Sequence, residues 1–292
     1  MERKNSLRLS TRLLIILCLM GAGLIAASKL IEIPFINNSS NLLVMLTVQD
    51  VMAFIVPAIV AMAIFYRRPL HVMGLDRAPN WLSTIIIVAF YFLSLPGMNW
   101  LVSVNESMSL PSWMSGVEHY MRHAEDAAAA TTKQLLDINT VGQLLASIFV
   151  IGFMAGLSEE ILFRGAMLRT MQDSPMNTHV VVWLVAIIFS ALHMQFFGFL
   201  PRMLLGLWMG YLLVWTRSLW VPIIAHTLNN STVVIFSFLS GKGIVPENYG
   251  DGLGLPADGS MPWLAIGSIV ASIALGVWSH HHYSAQHRQG KN

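Results

Sequence analysis

The sequence predicts an all-α, polytopic membrane bundle of about eight transmembrane helices. Three observations lead there. Of the 292 residues, 55% are hydrophobic and only 11% are charged, against about 25% charged in a soluble protein. The apolar residues gather into runs near the ~20 residues a helix needs to cross a bilayer core. The single cysteine, Cys18, lies inside such a run, which excludes an intrachain disulfide framework or thiolate metal site. A net charge of +2, with no basic block, argues against a nucleic-acid partner.

The apolar runs fall at residues 13–27, 43–66, 81–95, 141–168, 179–196, 200–215, 219–238 and 262–279. The first reads as a span and not as a signal peptide, because no small-residue cleavage site leads into a soluble segment. Placing the N-terminus in the cytoplasm puts Arg3, Lys4, Arg8, Arg12, Arg67, Arg68, Arg77, Arg164, Arg169, Arg217, Arg288 and Lys291 inside. It leaves Lys29, Arg122, Lys133, Arg202 and Lys242 outside. Basic residues favour the cytoplasmic side, so both termini are expected there. The outside loop 96–140 carries an alanine run at Ala127–Ala130, and its stretch 112–136 is expected to form a surface helix. The second outside loop, 239–261, is rich in Gly and Pro and reads as irregular. The chain divides into 1–140 (three spans and the outside loop), 141–238 (four spans that hold the polar clusters) and 239–292 (a loop, the last span and a tail).

Ionisable residues inside spans are costly and default to functional hypotheses. Three clusters qualify. The fourth span carries Glu159-Glu160-Ile161-Leu162-Phe163-Arg164, the fifth carries Phe189-Ser190-Ala191-Leu192-His193, and the seventh holds His226-Thr227-Leu228-Asn229-Asn230. Glu160 and Arg164, four residues apart, share a helix face. Glu159 is rotated about 100° away. The expected division is that Arg164 neutralises Glu160 while Glu159 faces a cavity. His226 and Asn230 also share a face, and Phe189 lies one turn from His193. Counting ~1.5 Å per residue from the loops, all three clusters reach similar depths if the turn near Asp173–Pro175 projects into the cytoplasm, with the cavity opening to that side. A carboxylate and an imidazole sharing a water can remove its proton, and a second imidazole with an amide can donate to an oxyanion. The set reads as water-attack hydrolysis of an amide.

These clusters, in this order, resemble the CAAX prenyl endopeptidase and bacteriocin-processing (CPBP, or Abi) family of intramembrane proteases. The family pattern is Glu-Glu-x-x-x-Arg, then Phe-x-x-x-His, then His-x-x-x-Asn or Asp, and all three parts are intact. The resemblance covers about residues 141–238. It implies Glu159 as general base, His193 as its partner on the water, His226 and Asn230 as the oxyanion site, and Glu160 and Arg164 as support for structure or substrate. It also implies a membrane-associated peptide or lipidated protein as substrate, and location in a bacterial inner membrane. No cofactor is expected. The alternative is zinc bound through Glu159, His193 and His226. Rival readings are a transporter or channel using the same residues as a polar relay, and a catalytically silent immunity or scaffold protein.

Other features carry bland expectations. Asp50 reads as an isolated helix-packing or interfacial residue. Gly250-Asp251-Gly252 has no partner Asp within a helix. Gly156-Leu157-Ser158 lacks the Gly that a serine nucleophile turn needs. His280, His281 and His282 read as an interfacial tail, and His119 and His123 as a solvated face.

Overall fold

The computed structural model describes residues 3–33, 42–246, 252–256 and 260–289. Among them there are helices and no strand. The helices are α1 (Leu9–Ile31), α2 (Leu42–Phe65), the short α3 (Pro69–Met73), α4 (Trp81–Glu106), α5 (Ser115–Leu135), α6 (Val141–Gln172), α7 (Thr178–Leu192), α8 (Phe199–Thr216), α9 (Trp220–Gly241) and α10 (Trp263–Arg288). Seven are long and apolar enough to cross a membrane, and α7 is a shorter apolar helix. The protein is an integral membrane helix bundle. Its exposed side chains along the spans include Leu14, Ile25, Ile85, Phe92, Val270 and Ile273, as a surface against lipid requires.

Two element ends differ from the sequence expectation. Helix α4 does not stop before Pro96; it continues through it to Glu106. Proline removes one backbone hydrogen bond, a loss that membrane helices tolerate where neighbours pack against the gap. Here α10 supplies the neighbour: Ser268 Oγ accepts from the Gly97 amide at 3.1 Å and donates to Leu93 O at 2.5 Å. Helix α7 ends at Leu192, so His193 is its C-cap and the chain turns back within the bundle. Met194 takes a left-handed conformation, φ 56°, and a short 3₁₀ turn over Phe196–Gly198 leads into α8.

Helix starts are encoded locally. Asn80 caps α4 by accepting from the Ser83 amide at 2.7 Å. Thr140 and Gln143 form a reciprocal capping box at α6, satisfying two donors at once. Asn177 accepts from the His179 amide at 2.8 Å to start α7. The outside-loop helix expected at 112–136 is α5.

Packing between helices rests on small residues. Gly152 and Gly156 form a Gly-x-x-x-Gly pair on α6 that faces α9. A Cβ on Gly156 would meet the Thr227 amide at 3.2 Å and His226 Cβ at 3.4 Å; one on Gly152 would meet Ser231 Oγ at 2.3 Å. Such pairs let backbones approach in lipid, where packing replaces the hydrophobic driving force. Helix α8 is the central element: half of its span window is buried inside the protein, against 17–28% for the others.

At the end of the bundle that carries the α6–α7 turn, Asp173 ties the N-terminal segment down. Its Oδ2 accepts from Arg3 Nε (2.5 Å), Arg12 Nη1 (3.0 Å) and Tyr66 OH (3.1 Å). Burial works against the charged form of Asp173, but these donors outweigh it and hold the carboxyl below its ordinary value. Burial pushes the Tyr66 phenol up to about 12, so it remains a donor.

Candidate active site

The fourth-span cluster sits where α6 departs from regular α-helix. Wider π-helical turns run over Ile148–Met154 and Ile161–Leu168, with Glu159 and Glu160 at the end of the α-helical turn between them. Turns of this kind re-aim side chains and recur at functional sites. Glu160 is fully buried, and its Oε1 accepts from Arg164 Nη1 at 2.7 Å. Arg164, also fully buried, donates through Nη2 to Gly206 O at 3.0 Å. Its guanidinium stacks over Phe189, 4.6 Å from the ring centroid. Three helices, α6, α7 and α8, are therefore locked around one charge pair.

The close approach of α9 at Gly156 brings in His226. Its Nδ1 lies 2.9 Å from Glu160 Oε1, and a carboxylate oxygen paired with arginine accepts there, so Nδ1 is the protonated nitrogen. Its Nε2 lies 3.7 Å from Glu159 Oε2, too far for a direct hydrogen bond. Glu159 Oε2 has no hydrogen-bond partner, yet the side chain keeps 19% of its surface open. It is the more accessible carboxylate of the pair.

His193 is held from two sides. Its Nδ1 lies 2.8 Å from Phe189 O; a carbonyl only accepts, so Nδ1 carries the proton and Nε2 keeps its lone pair in the neutral ring. The Phe189 ring packs edge-on against His193 at 5.0 Å and against His226 at 6.2 Å between centroids. Glu159 lies within electrostatic reach of His193. Asn230 donates from Nδ2 to Ile151 O at 3.1 Å, which leaves its second amide hydrogen uncommitted, and its Oδ1 accepts from Asn229. Five of the six candidate residues, Glu159, Glu160, Arg164, His193 and His226, are thus linked in one neighbourhood built by α6, α7 and α9, with α8 behind it; Asn230 lies one turn along α9 from His226 and faces Ile151 of α6.

Two residues of this neighbourhood were not anticipated. Asp50 is not isolated. It is buried at the start of a π-helical stretch, Asp50–Ile55, in α2, and lies within reach of Ser158 and Glu159. Arg202, counted by charge on the outside, lies within α8, in electrostatic reach of Glu159 and Glu125. Its position inside the apolar run 200–215 was the available signal. The Gly-x-x-x-Gly pair was also readable as a contact site for α9.

The bland expectations fare unevenly. Ser158 is fully buried and donates to Ala155 O at 3.0 Å, an arrangement unsuited to nucleophilic attack. His280, His281 and His282 are not a tail; they continue α10, where His280 Nδ1 accepts from Trp215 Nε1 at 3.3 Å. Gly250 and Asp251 lie outside the described residues. Among the described residues no three His, Cys, Asp or Glu side chains are grouped to hold a metal ion.

A cavity of about 1200 Å³ lies along the far half of α9, lined by Asp137, Asn139, Thr232 and Ser237 among others. None of the six candidates lines it. A second, apolar cavity of about 630 Å³ between α4, α8 and α10 contains none of the six candidates.

Residues 141–232 match the family model for the type II CAAX prenyl endopeptidase Rce1-like proteins. The chain is also 31% identical over 103 residues to the membrane-embedded CAAX protease MroQ of Staphylococcus aureus (strain USA300). That alignment takes in 33% of this chain and spans 41% of the relative's own length. No solved structure matches. Both matches agree with the resemblance to CPBP-family membrane proteases carried by the motifs.

Proposed function

We propose that the protein hydrolyses a peptide bond of a membrane-associated peptide or protein, using water activated by Glu159 and His193. The observation that carries this reading is the His226 imidazole spanning the two adjacent glutamates. One glutamate is neutralised by Arg164, and the other makes no hydrogen bond through Oε2 and lies in electrostatic reach of a histidine with a free lone pair.

The chemistry follows from the donors and acceptors. A water between Glu159 and His193 Nε2 loses a proton to the carboxylate as its oxygen adds to the scissile carbonyl carbon. The oxyanion takes hydrogen bonds from the free Asn230 amide hydrogen and from His226, whose Nε2 donates when the ring is protonated. Each such donor contributes about 3 kcal/mol to lowering the barrier. Glu159 then returns the proton to the leaving nitrogen, the C–N bond breaks, and the enzyme is regenerated without a covalent intermediate. Glu160 and Arg164 touch no reacting atom in this scheme; they orient His226 and hold three helices together.

By likeness to its relatives, the substrate class is a protein or peptide terminus at the membrane surface. Both chain termini are assigned to the cytoplasm and the protein to a bacterial inner membrane. The reading is tested by mass spectrometry of membrane peptides from cells carrying the wild-type protein or Glu159→Gln. New peptide termini confined to the wild type support it. Identical termini in both, with equal protein levels, reject it.

A further inference from the structure

An arginine within an apolar span demands a compensating anion or a ligand. Arg202 is in the first turn or two of α8, on the outer flank of the site. Its Nη2 donates to Gln195 Oε1 at 2.6 Å, which fixes the guanidinium plane. Its Nη1 is buried and has no hydrogen-bond partner. Two carboxylates are in electrostatic reach, Glu125 and Glu159, but neither is hydrogen bonded to it. Glu125 is engaged elsewhere: its Oε2 accepts from the Phe197 amide at 3.1 Å. His193 feels the Arg202 charge directly, so the orphan donor lies on the same side of the bundle as the unpaired base. Gly198 leaves room for the guanidinium, since a Cβ there would meet Nη2 at 3.1 Å.

Guanidinium groups favour carboxylates because their N–H vectors match the two oxygens. We infer that Arg202, oriented by Gln195, anchors a carboxylate of the substrate peptide next to the Glu159–His193 pair and so selects substrates with an anionic group near the scissile bond. The inference rests on the peptidase reading for its meaning but not for its test. The carboxylate is either the free C-terminus of the peptide or an Asp or Glu side chain; both present the same two oxygens. A residue that only balanced the Glu159 charge would be indifferent to which of these groups the ligand carried.

The test measures binding in the Glu159→Gln protein, purified in detergent, where cleavage is removed. Three probes share one dodecanoyl chain: dodecanoyl-Leu-Ala-Leu with a free carboxylate, the same peptide as its C-terminal amide, and dodecanoyl-Leu-Glu-Leu amide. The expected result is at least tenfold tighter binding of a carboxylate probe over the neutral amide. The preference should vanish in Glu159→Gln/Arg202→Gln and weaken in Glu159→Gln/Gln195→Ala, which keeps the charge and loses its orientation. Preference for the first probe identifies the chain terminus; preference for the third identifies an acidic side chain. Equal binding of all three, or a preference that survives Arg202→Gln, overturns the inference. A preference found in a protein whose wild type cleaves nothing would leave the anchor standing and reject the peptidase reading instead.

Discussion

The imidazole of His226 bridges Glu160 and Glu159, with Nδ1 2.9 Å from one and Nε2 3.7 Å from the other. The two neighbours in sequence are thereby given different physical situations. Glu160 Oε1 takes hydrogen bonds from both His226 and Arg164, whereas Glu159 Oε2 takes none.

Stability and activity should therefore separate between the two glutamates. Removing one partner of a buried ion pair costs about 3–5 kcal/mol because the other charge is left unpaired. Arg164→Ala is expected to lower thermal unfolding in detergent sharply. Glu159→Gln is expected to melt within a few degrees of wild type while losing cleavage. A large loss of stability in Glu159→Gln would contradict the division.

Gly156 is the hinge of the α6–α9 contact. A leucine there places its Cβ 3.2 Å from the Thr227 amide, backbone that has no freedom to move aside. Gly156→Leu should push His226 away from the glutamates and reduce cleavage at least tenfold. Gly21→Leu, at a position with nothing within 4 Å of its Cβ, should change little. Comparable activity in the two variants would show that the close approach is dispensable.

Acid should loosen the N-terminal segment. The carboxyl of Asp173 is held below its ordinary value by Arg3, Tyr66 and Arg12 against the opposing effect of burial. A depressed carboxyl stabilises the fold fully above its unfolded value of about 3.9. That contribution is lost as pH falls through the folded value. Asp173→Asn should cost about 1–2 kcal/mol at pH 7, the worth of charge-assisted hydrogen bonds reduced for partial exposure. The gap between variant and wild type should narrow as pH falls below about 4 and close once it is below the depressed folded value. A gap that does not narrow in acid would assign the effect to packing.

Cleavage should withstand chelation. In the proposed scheme a carboxylate and an imidazole do the work of activating water, so phenanthroline should leave the rate unchanged. Loss of activity that zinc restores would move the account to a metal-bound water.

Much of this arrangement was legible in the sequence because lipid makes polar residues conspicuous. The Glu159-Glu160-Arg164, Phe189-His193 and His226-Asn230 clusters stood out against apolar helices, and the i, i+4 pairing of Glu160 with Arg164 was a matter of helix geometry. What escaped notice escaped for physical reasons. Proline ends a helix in water, so the sequence places the end of the third span before Pro96, a rule that a packed membrane helix does not obey. His193 was placed inside a span, but α7 ends one residue before it, and apolarity alone does not mark a helix that stops within the bundle. Arg202 lies inside the run 200–215, but the charge count takes arginine as a marker of water and places it on the outside. Asp50 reads as solitary in the sequence because its neighbours, Ser158 and Glu159, are more than a hundred positions away in the chain and meet it only through packing of α2 on α6.

The central claim is that a carboxylate on α6 and an imidazole at the end of α7 act on one water molecule. A double-mutant cycle tests it directly. Single-turnover cleavage rates are measured for wild type, Glu159→Gln, His193→Ala and the double variant on one peptide substrate. Groups that act as a unit are non-additive, so each single change should cost about 10²-fold or more and the double variant should be no slower than the slower single. A double variant whose loss equals the product of the two single losses would contradict the account.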